Sequence, residues 1–247
     1  MLKLAKIEGR NPVLEALRGN RRIDNILLQK GISGEKIDLI VNEANRQNIR
    51  IEWAPRIKLD QMAESHVHQG VIAFAAEKKL LSPKEIVDLA KNKGEDPFII
   101  ILDQIQDPHN FGAIIRTAYA AGAHGIIYQE KRAVGITPVV IKSSAGAIEH
   151  INLAEVSNIN NAIDELKENG LWISGADMEG DQLHFKADFK GPIAIVIGSE
   201  GKGLRRLVKE KCDFLIKIPM LGQLGSLNAS VAAAIIIYEA VRQRYKY

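Results

Sequence analysis

Three segments after residue 100 carry polar side chains and glycines in patterns that suit ligand binding or catalysis. In the first, residues 107–118, Asn110 precedes Arg116 by six positions on a predicted helix. A guanidinium presents a fixed fork of N–H donors that matches a phosphate, and an asparagine side chain can cap a helix. Taken alone, the segment is also explained as a capped helix with an arginine facing solvent.

The second segment, residues 193–204, is an apolar strand that runs into a glycine-rich turn containing a carboxylate. Gly198 and Gly201 permit close backbone approach or a positive φ, so that backbone N–H groups can face a ligand. The glycine spacing matches neither a phosphate loop nor a dinucleotide fingerprint. Glu200 also lies in this turn, although forming the turn does not require a carboxylate.

The third segment, residues 216–237, is a strand that ends at Pro219, then a polar loop, then a long helix of small residues predicted from Ser226 to Tyr245. Ser226 and Asn228 are expected to satisfy the open N–H groups of the first helical turn. Because ligands in open α/β sheets bind beyond the carboxyl ends of strands, we expect a site where these segments follow their strands.

The elements around these segments predict an α/β fold. Short apolar runs alternate with helical stretches after residue 97, which indicates a mostly parallel sheet covered on both faces. The predicted strands are 98–102, 125–128, 151–156, 171–175, 193–197 and 214–218, and the predicted helices are 111–121, 137–148, 159–168 and 204–211.

The front of the chain predicts a separate small α/β domain over residues 1–76. Its predicted strands are 25–29, 49–53 and 70–76, and its predicted helices are 11–19, 34–46 and 56–64, the first of them capped by Asn11. Residues 77–96 form the predicted linker and leading helix, which begins with a capping box of Ser82 and Glu85. Residues 97–247 form the predicted larger domain.

Composition excludes several classes of protein. The 247 residues include one cysteine, Cys212, which excludes an intramolecular disulfide and a cysteine-rich zinc site. His66 and His68 share one face of a possible strand without a third ligand, so no metal site is predicted. The longest apolar run, residues 231–238, is far shorter than the roughly 20 residues that span a bilayer. With no secretory signal at its start, the chain is predicted to be soluble and cytoplasmic.

The distribution of charge suggests a polyanionic partner. Residues 1–80 contain 14 Lys and Arg against 10 Asp and Glu, whereas the remainder contains 19 against 20. A basic face suits RNA because each phosphate contact releases counterions. An ordinary solvated surface explains the same counts.

Taken together and in this order, the three segments resemble the three sequence motifs of the SpoU/TrmH family of SPOUT-class RNA methyltransferases. The matching stretches are NFGAIIRTA at 110–118, IGSEGKGL at 197–204 and IPMLGQLGSLNAS at 218–230. GRNPVLEAL at 9–17 is similar to the small ribosomal-protein-like RNA-binding domain of the longer members, so the resemblance covers nearly the whole chain. Ala229 stands where many members have valine, which is a conservative departure.

The resemblance implies transfer of a methyl group from S-adenosylmethionine to a ribose 2′-hydroxyl. It also implies a deep trefoil knot in the C-terminal domain and a homodimer formed through that domain. By position, Arg116 is expected at the reacting ribose, held by Asn110, with Glu200 as the third catalytic residue. The expected cofactor-binding residues are Gly198, Gly201, Ile218, Ser226, Leu227 and Asn228. The expected RNA-binding residues are Arg10, Asn11, Arg21 and Arg22.

Members with this front domain resemble bacterial enzymes that methylate a guanosine in large-subunit (23S) ribosomal RNA, which makes ribosomal RNA the predicted substrate. A tRNA ribose is the nearest alternative, because the motifs do not encode the target. An inert assembly factor is a further alternative, but such a protein is expected to have lost Asn110, Arg116, Glu200 or Asn228. A nicotinamide dehydrogenase is excluded because its glycine fingerprint is missing.

Overall fold

The computed structural model describes residues 4–19, 21–64, 67–222 and 225–245. The strands are β1 (Leu4–Glu8), β2 (Ile23–Gln29), β3 (Arg50–Ala54), β4 (Val71–Ala76), β5 (Phe98–Asp103), β6 (Gly125–Gln129), β7 (Asn152–Val156), β8 (Trp172–Ala176), β9 (Gln182–Leu183), β10 (Ile193–Gly198) and β11 (Phe214–Lys217). The helices are α1 (Arg10–Arg18), α2 (Glu35–Arg46), α3 (Arg56–Met62), α4 (Pro83–Asn92), α5 (Pro108–Ala120), α6 (Pro138–Ser143), α7 (Ile159–Glu168), α8 (Arg206–Lys211) and α9 (Ala229–Arg244).

The chain divides into two compact units. The first contains Met1–Lys79 together with Ile136–His150, and the second contains Leu80–Gly135 together with Ile151–Tyr247. The predicted boundary after residue 76 lies close to the observed one, and the leading helix α4 belongs to the second unit. The predicted domain of residues 97–247 differs from the observed division, because residues 136–150 pack with the first unit.

The first unit is built on a four-stranded sheet of order β1-β4-β2-β3, in which β2 and β3 are parallel and the other pairs are antiparallel. The strand β1 was absent from the sequence-based prediction. Helix α1 begins at Arg10 with Gly9 at its N-cap and no side-chain cap, so the prediction that Asn11 caps it is wrong. Asn11 lies one position inside the helix, where its side chain accepts a hydrogen bond from Lys36 instead.

The inserted segment, residues 136–150, was predicted as one helix over 137–148 but forms α6 and a separate 3-10 helix, Ala147–Glu149. The break falls at Ala145 and Gly146, which both have positive φ. Glu149 at its end forms an ion pair of 2.7 Å with Arg21, and the two side chains are 1% and 6% exposed. Removing either partner would leave a buried charge uncompensated, so this pair ties the segment to the first unit.

The second unit contains a seven-stranded sheet of order β7-β6-β5-β10-β8-β11-β9, in which every neighbouring pair of described strands is parallel. Its central strands are continuous apolar runs because both faces are covered; β5 is buried along its whole length. The six strands predicted for this region are confirmed to within two residues at each end, and β9 was missed. The capping box of Ser82 and Glu85 at α4 is confirmed.

Two predicted helix starts in the second unit are wrong. Asp107, rather than Asn110, caps α5 by accepting from the His109 N–H, so the helix begins at Pro108. Helix α9 begins at Ala229 rather than Ser226, with Asn228 as its cap. The threading that would knot the chain stays a prediction. Among the described residues, no helix is long and apolar enough to cross a membrane.

Candidate active site

A cleft opens at the carboxyl ends of β8, β10 and β11 in the second unit. Ligands in open parallel sheets bind at this edge, so the topology alone points to it. Three stretches line it: Ala176–Met178 at the end of β8, residues 197–201 with Gly203 after β10, and residues 216–218 with Met220, Ser226 and Leu227 after β11, with Ala229, Ala232 and Ile236 of α9 closing it. Five of the six predicted cofactor-binding residues belong to this lining: Gly198, Gly201, Ile218, Ser226 and Leu227.

The turn after β10 is held by backbone contacts that leave no room for a side chain at Gly198. A Cβ there would lie 2.7 Å from the Leu204 nitrogen and closer still to the carbonyl group of Gly203. The Gly203 N–H donates to the Ser199 carbonyl at 3.0 Å, which closes the turn. Gly201 and Gly203 both have positive φ, which favours glycine. The turn therefore has one compact backbone shape.

Arg205, which follows this turn, is held by a network of polar side chains. Asp103, at the end of β5, accepts from the backbone N–H of Arg205 at 3.0 Å and from its guanidinium Nε at 2.7 Å. The same guanidinium donates to Gln129 Oε1 at 3.0 Å. The Asp103 side chain is fully buried, whereas that of Arg205 is 33% exposed. These bonds anchor the residue after the glycine turn to two neighbouring strands.

We expect Asp103→Ala to destabilise the protein by about 2–3 kcal/mol. It leaves the Arg205 N–H unsatisfied and its charge unpaired, but the partial exposure of Arg205 keeps the cost below that of a fully buried pair. Thermal unfolding measures the loss. The matched control is Glu210→Ala, which removes the exposed Arg206–Glu210 pair of α8 and should change stability by less than about 1 kcal/mol. Equal losses in the two variants would contradict the role of Asp103.

The three motif segments meet through side-chain hydrogen bonds around Glu200, a residue of the cleft lining. The Asn110 amide nitrogen donates to Glu200 Oε1, and the Asn110 amide oxygen accepts from Asn228 Nδ2 at 3.0 Å. Asn110 is 6% exposed, so its polar atoms need these partners. Asn228 also accepts from Ser230 and Val231 as the cap of α9. It therefore connects the helix start to the network rather than lining the cleft.

The expectation that Asn110 holds Arg116 is wrong. The recorded partners of Asn110 are Glu200 and Asn228, and Arg116 is exposed on α5. Within the part of the chain that the structure describes, the Arg116 side chain makes no hydrogen bond or ion pair. Its guanidinium donors are therefore available for a ligand.

Sequence reasoning missed the loop after β8. Asp177 is 9% exposed and lines the cleft. Its carboxylate accepts from the backbone N–H groups of Glu179 and Leu204 and pairs with Lys209 at 2.9 Å. A carboxylate just after a predicted parallel strand was the available signal. Asp177 thereby joins the β8 loop to the glycine turn.

The thiol of Cys212, the one cysteine of the chain, is not activated as a nucleophile. Burial raises the pKa of the Cys212 thiol to about 12, so the group is a neutral thiol near pH 7 and a poor nucleophile. Within residues 4–19, 21–64, 67–222 and 225–245, no group of three or more His, Cys, Asp or Glu side chains could hold a metal ion. His66, considered above as a metal ligand, lies outside these residues.

The predicted RNA-binding residues of the first unit separate into different surroundings. Arg10 and Asn11 line an open polar cleft. Arg22 is exposed at the start of β2. Arg21 is buried against Glu149 and donates through Nε to the Ala76 carbonyl at 2.8 Å. The structure does not support an RNA contact for Arg21, because its donors serve the fold.

Comparison with known proteins matches both units to families of RNA methyltransferases. Residues 97–238 match the SpoU rRNA Methylase family, and residues 6–81 match RNA 2'-O ribose methyltransferase substrate binding. The chain is 46% identical over 236 residues to the putative TrmH family tRNA/rRNA methyltransferase YacO of Bacillus subtilis, covering 96% of this chain and 94% of the relative.

Two solved structures match over nearly the whole length. The SpoU methyltransferase AviRb from Streptomyces viridochromogenes, in complex with its cofactor AdoMet, has a TM-score of 0.81 and 26% identity over 96% of this chain and 89% of that one. A structure described as an RNA 2'-O ribose methyltransferase has a TM-score of 0.79 and 26% identity over 98% and 89%.

The cleft of this chain fits S-adenosylmethionine, the cofactor bound in the AviRb structure. Ile218, Leu227 and Ile236 give the cleft an apolar surface, and the carboxylates of Asp177 and Glu200 suit a cofactor with a positive sulfonium and an ammonium group. The cleft and the hydrogen-bond network are consistent with the family matches found for both units. The chain belongs to the SpoU/TrmH family of S-adenosylmethionine-dependent RNA methyltransferases.

Proposed function

We propose that the protein methylates the ribose 2′-hydroxyl of a guanosine in large-subunit ribosomal RNA. The observation that carries the proposal is the Asn110–Glu200–Asn228 network, which brings the three motif segments together around Glu200 in the lining of the cofactor cleft. The separate substrate-binding unit supports a large structured RNA, since proteins recognise RNA by shape, unpaired loops and the 2′-hydroxyl. We further propose that the enzyme works in the cytoplasm, where such RNA is available in bacteria.

Bound S-adenosylmethionine supplies an activated methyl group, and the residues of the chain align the acceptor with it. Positioning of this kind accounts for about 7–11 kcal/mol of barrier reduction in well-oriented reactions. Asn110, which accepts a hydrogen bond from Asn228, fixes Glu200 in the lining of the cleft. Arg116 binds the phosphate next to the acceptor ribose and orients the hydroxyl.

The acceptor hydroxyl loses a proton as its oxygen forms the bond to the methyl carbon and the carbon–sulfur bond breaks. A guanidinium stays charged near pH 7, so Arg116 is a poor base. We propose that the phosphate bound by Arg116, or a water molecule beside it, accepts the proton.

Incubation with labelled S-adenosylmethionine and separately purified ribosomal RNA and tRNA tests the substrate. We expect label in large-subunit ribosomal RNA, with 2′-O-methylguanosine as the product found by nucleoside mass analysis. Label in tRNA alone would establish the alternative substrate, which the name of the Bacillus subtilis relative also allows. Label on a base ring would contradict ribose methylation, and no transfer to either RNA would favour an inert assembly factor.

We also propose that two copies associate through α9 and the neighbouring helix α5. Val231, Ile235 and Tyr238 of α9 are exposed at spacings of four and three residues, which puts them on one face, and Tyr119 of α5 is exposed as well. Exposed apolar stripes of this kind are typical of protein interfaces.

Ile235→Asp is expected to convert the dimer to a monomer, because a charge in the middle of this stripe would be buried without a partner. Light scattering after size-exclusion chromatography gives the mass directly. Leu89→Asp, at an exposed apolar residue of α4, is the matched control and should leave the dimer intact. A wild-type protein that is monomeric at all concentrations would contradict the proposal.

A further inference from the structure

The first unit contains an open polar cleft that the methyl-transfer reaction does not use. Its lining comes from the start of α1, the end of β2, the start of α2 and α3, and the residues before β4. Three of the lining side chains are cations, Arg10, Lys36 and Arg56; the described lining residues include no acidic side chain, and Arg56 pairs with Asp60 of α3 at 3.7 Å. A concave surface with this charge attracts an anion.

The cleft is held in shape by an unusual backbone at Gln69, which has a φ of 53°. Its side-chain oxygen accepts from the Arg10 backbone N–H at 3.1 Å, and its carbonyl accepts from the Arg10 Nε at 3.3 Å. The next residue, Gly70, also has a positive φ. Non-glycine residues in this conformation are strained and occur where the surroundings fix them, often at ligand sites.

These two bonds aim the Arg10 guanidinium and leave its terminal nitrogens free of partners among the described residues. The neighbouring His68 is buried, and its Nδ1 accepts from the Gly70 N–H at 3.0 Å. The opposite ring nitrogen lies 2.8 Å from Asp60. These two contacts hold the His68 ring between Gly70 and Asp60.

The other residues of the lining have polar and apolar groups that can bind a nucleobase. Asn11, Gln29 and Gln69 present side-chain amides; the oxygens of Asn11 and Gln69 already accept from Lys36 and Arg10, and their amide nitrogens can donate to a base. Ile32 and the exposed Val67 present apolar surface for the face of a base. Cations for phosphate, amides for base edges and an apolar wall for the base face occur together in this cleft.

We propose that this cleft binds one unpaired nucleotide of the substrate RNA, away from the nucleotide that receives the methyl group. Arg10, Lys36 and Arg56 contact the phosphates, and the amide side chains contact the base edge. An extruded or loop nucleotide fits, because base edges within an RNA helix are poorly accessible to side chains. The proposal rests on the proposed function in taking RNA as the substrate, and it adds that this RNA is recognised at an unpaired position.

Binding of a hairpin RNA with an unpaired loop, and of the fully paired duplex formed from the same stem, tests the proposal. Fluorescence anisotropy is measured over a range of salt with S-adenosylhomocysteine present, so no turnover is required. For Lys36→Ala/Arg56→Ala we expect about tenfold weaker hairpin binding and a salt slope reduced by about 1 for each lost phosphate contact. The preference of the wild type for the hairpin over the duplex should also disappear.

The charge-matched control is Arg46→Ala/Lys58→Ala, which removes two cations of the first unit outside the cleft, each paired with a glutamate in the fold. An equal loss in this control, or an unchanged hairpin affinity in the cleft variant, would overturn the proposal. So would a wild type that binds duplex and hairpin alike. Hairpin binding that depends on the cleft in a protein that transfers no methyl group would leave this inference standing and overturn the proposed function instead.

Discussion

Arg116→Ala is expected to reduce kcat by about 10²–10³-fold while leaving cofactor binding and stability unchanged. This reduction in kcat is the one expected when a positioned, charged hydrogen-bond donor is removed from a reacting group. Stability should hold because Arg116 is exposed and makes no hydrogen bond or ion pair among the described residues. The measurements are single-turnover methyl transfer at saturating RNA, calorimetric binding of S-adenosylhomocysteine, and thermal unfolding.

Two further variants separate the charge of Arg116 from its shape. Arg116→Lys keeps a cation but loses the planar fork, so it should recover only part of the rate. Arg206→Ala removes an arginine of α8 that is also highly exposed, and it should transfer methyl groups at the wild-type rate. If Arg116→Ala kept the wild-type turnover, Arg116 would have no part in orienting the acceptor.

Gly198→Ala is expected to weaken cofactor binding and to destabilise the second unit. The added Cβ meets only backbone atoms of Gly203 and Leu204, which cannot rotate away as a flexible side chain would. Overpacking of this kind costs about 1–3 kcal/mol, and displacement of the turn by about 1 Å would reduce kcat/KM for the cofactor by about 10²-fold. Calorimetry with S-adenosylhomocysteine and thermal unfolding measure the two effects.

The control is Gly135→Ala. Gly135 lies in the same unit with no atom within 4 Å of its would-be Cβ, and its φ is not positive. This variant should bind cofactor as the wild type does. If Gly198→Ala bound the cofactor with unchanged affinity, the compact turn would not be what shapes the cleft.

The strands of the second unit could be predicted because strands buried on both faces are continuous apolar runs, as Phe98–Asp103 is. The start of α5 was misplaced because Asp107 and Asn110 are both good capping residues. Proline at the first helical position was the signal that favours Asp107. The insertion of residues 136–150 into the first unit could not be predicted, because its pairing of Arg21 with Glu149 joins residues 128 positions apart.

The site was predicted in part. The glycines and the polar residues of the three motifs could be found, because their types are unusual at the ends of strands. The Asp103–Arg205 pair could not, since its members are 102 positions apart and each has an ordinary local sequence. The partners of Asn110 were also beyond local reasoning, because a side chain that caps a helix and one that points into a network have the same sequence signature.

The placement of residues 136–150 limits how this protein could be shortened or recombined. The chain crosses between its two units three times, so no single cut separates them. A fragment that starts at residue 80 would retain the inserted stretch but lose its packing partners, uncovering Val140, Ile141 and Ile148, all of which are buried in the intact protein. Exchange of the first unit between relatives therefore requires that residues 136–150 be exchanged as well. This requirement favours inheritance of the two units together.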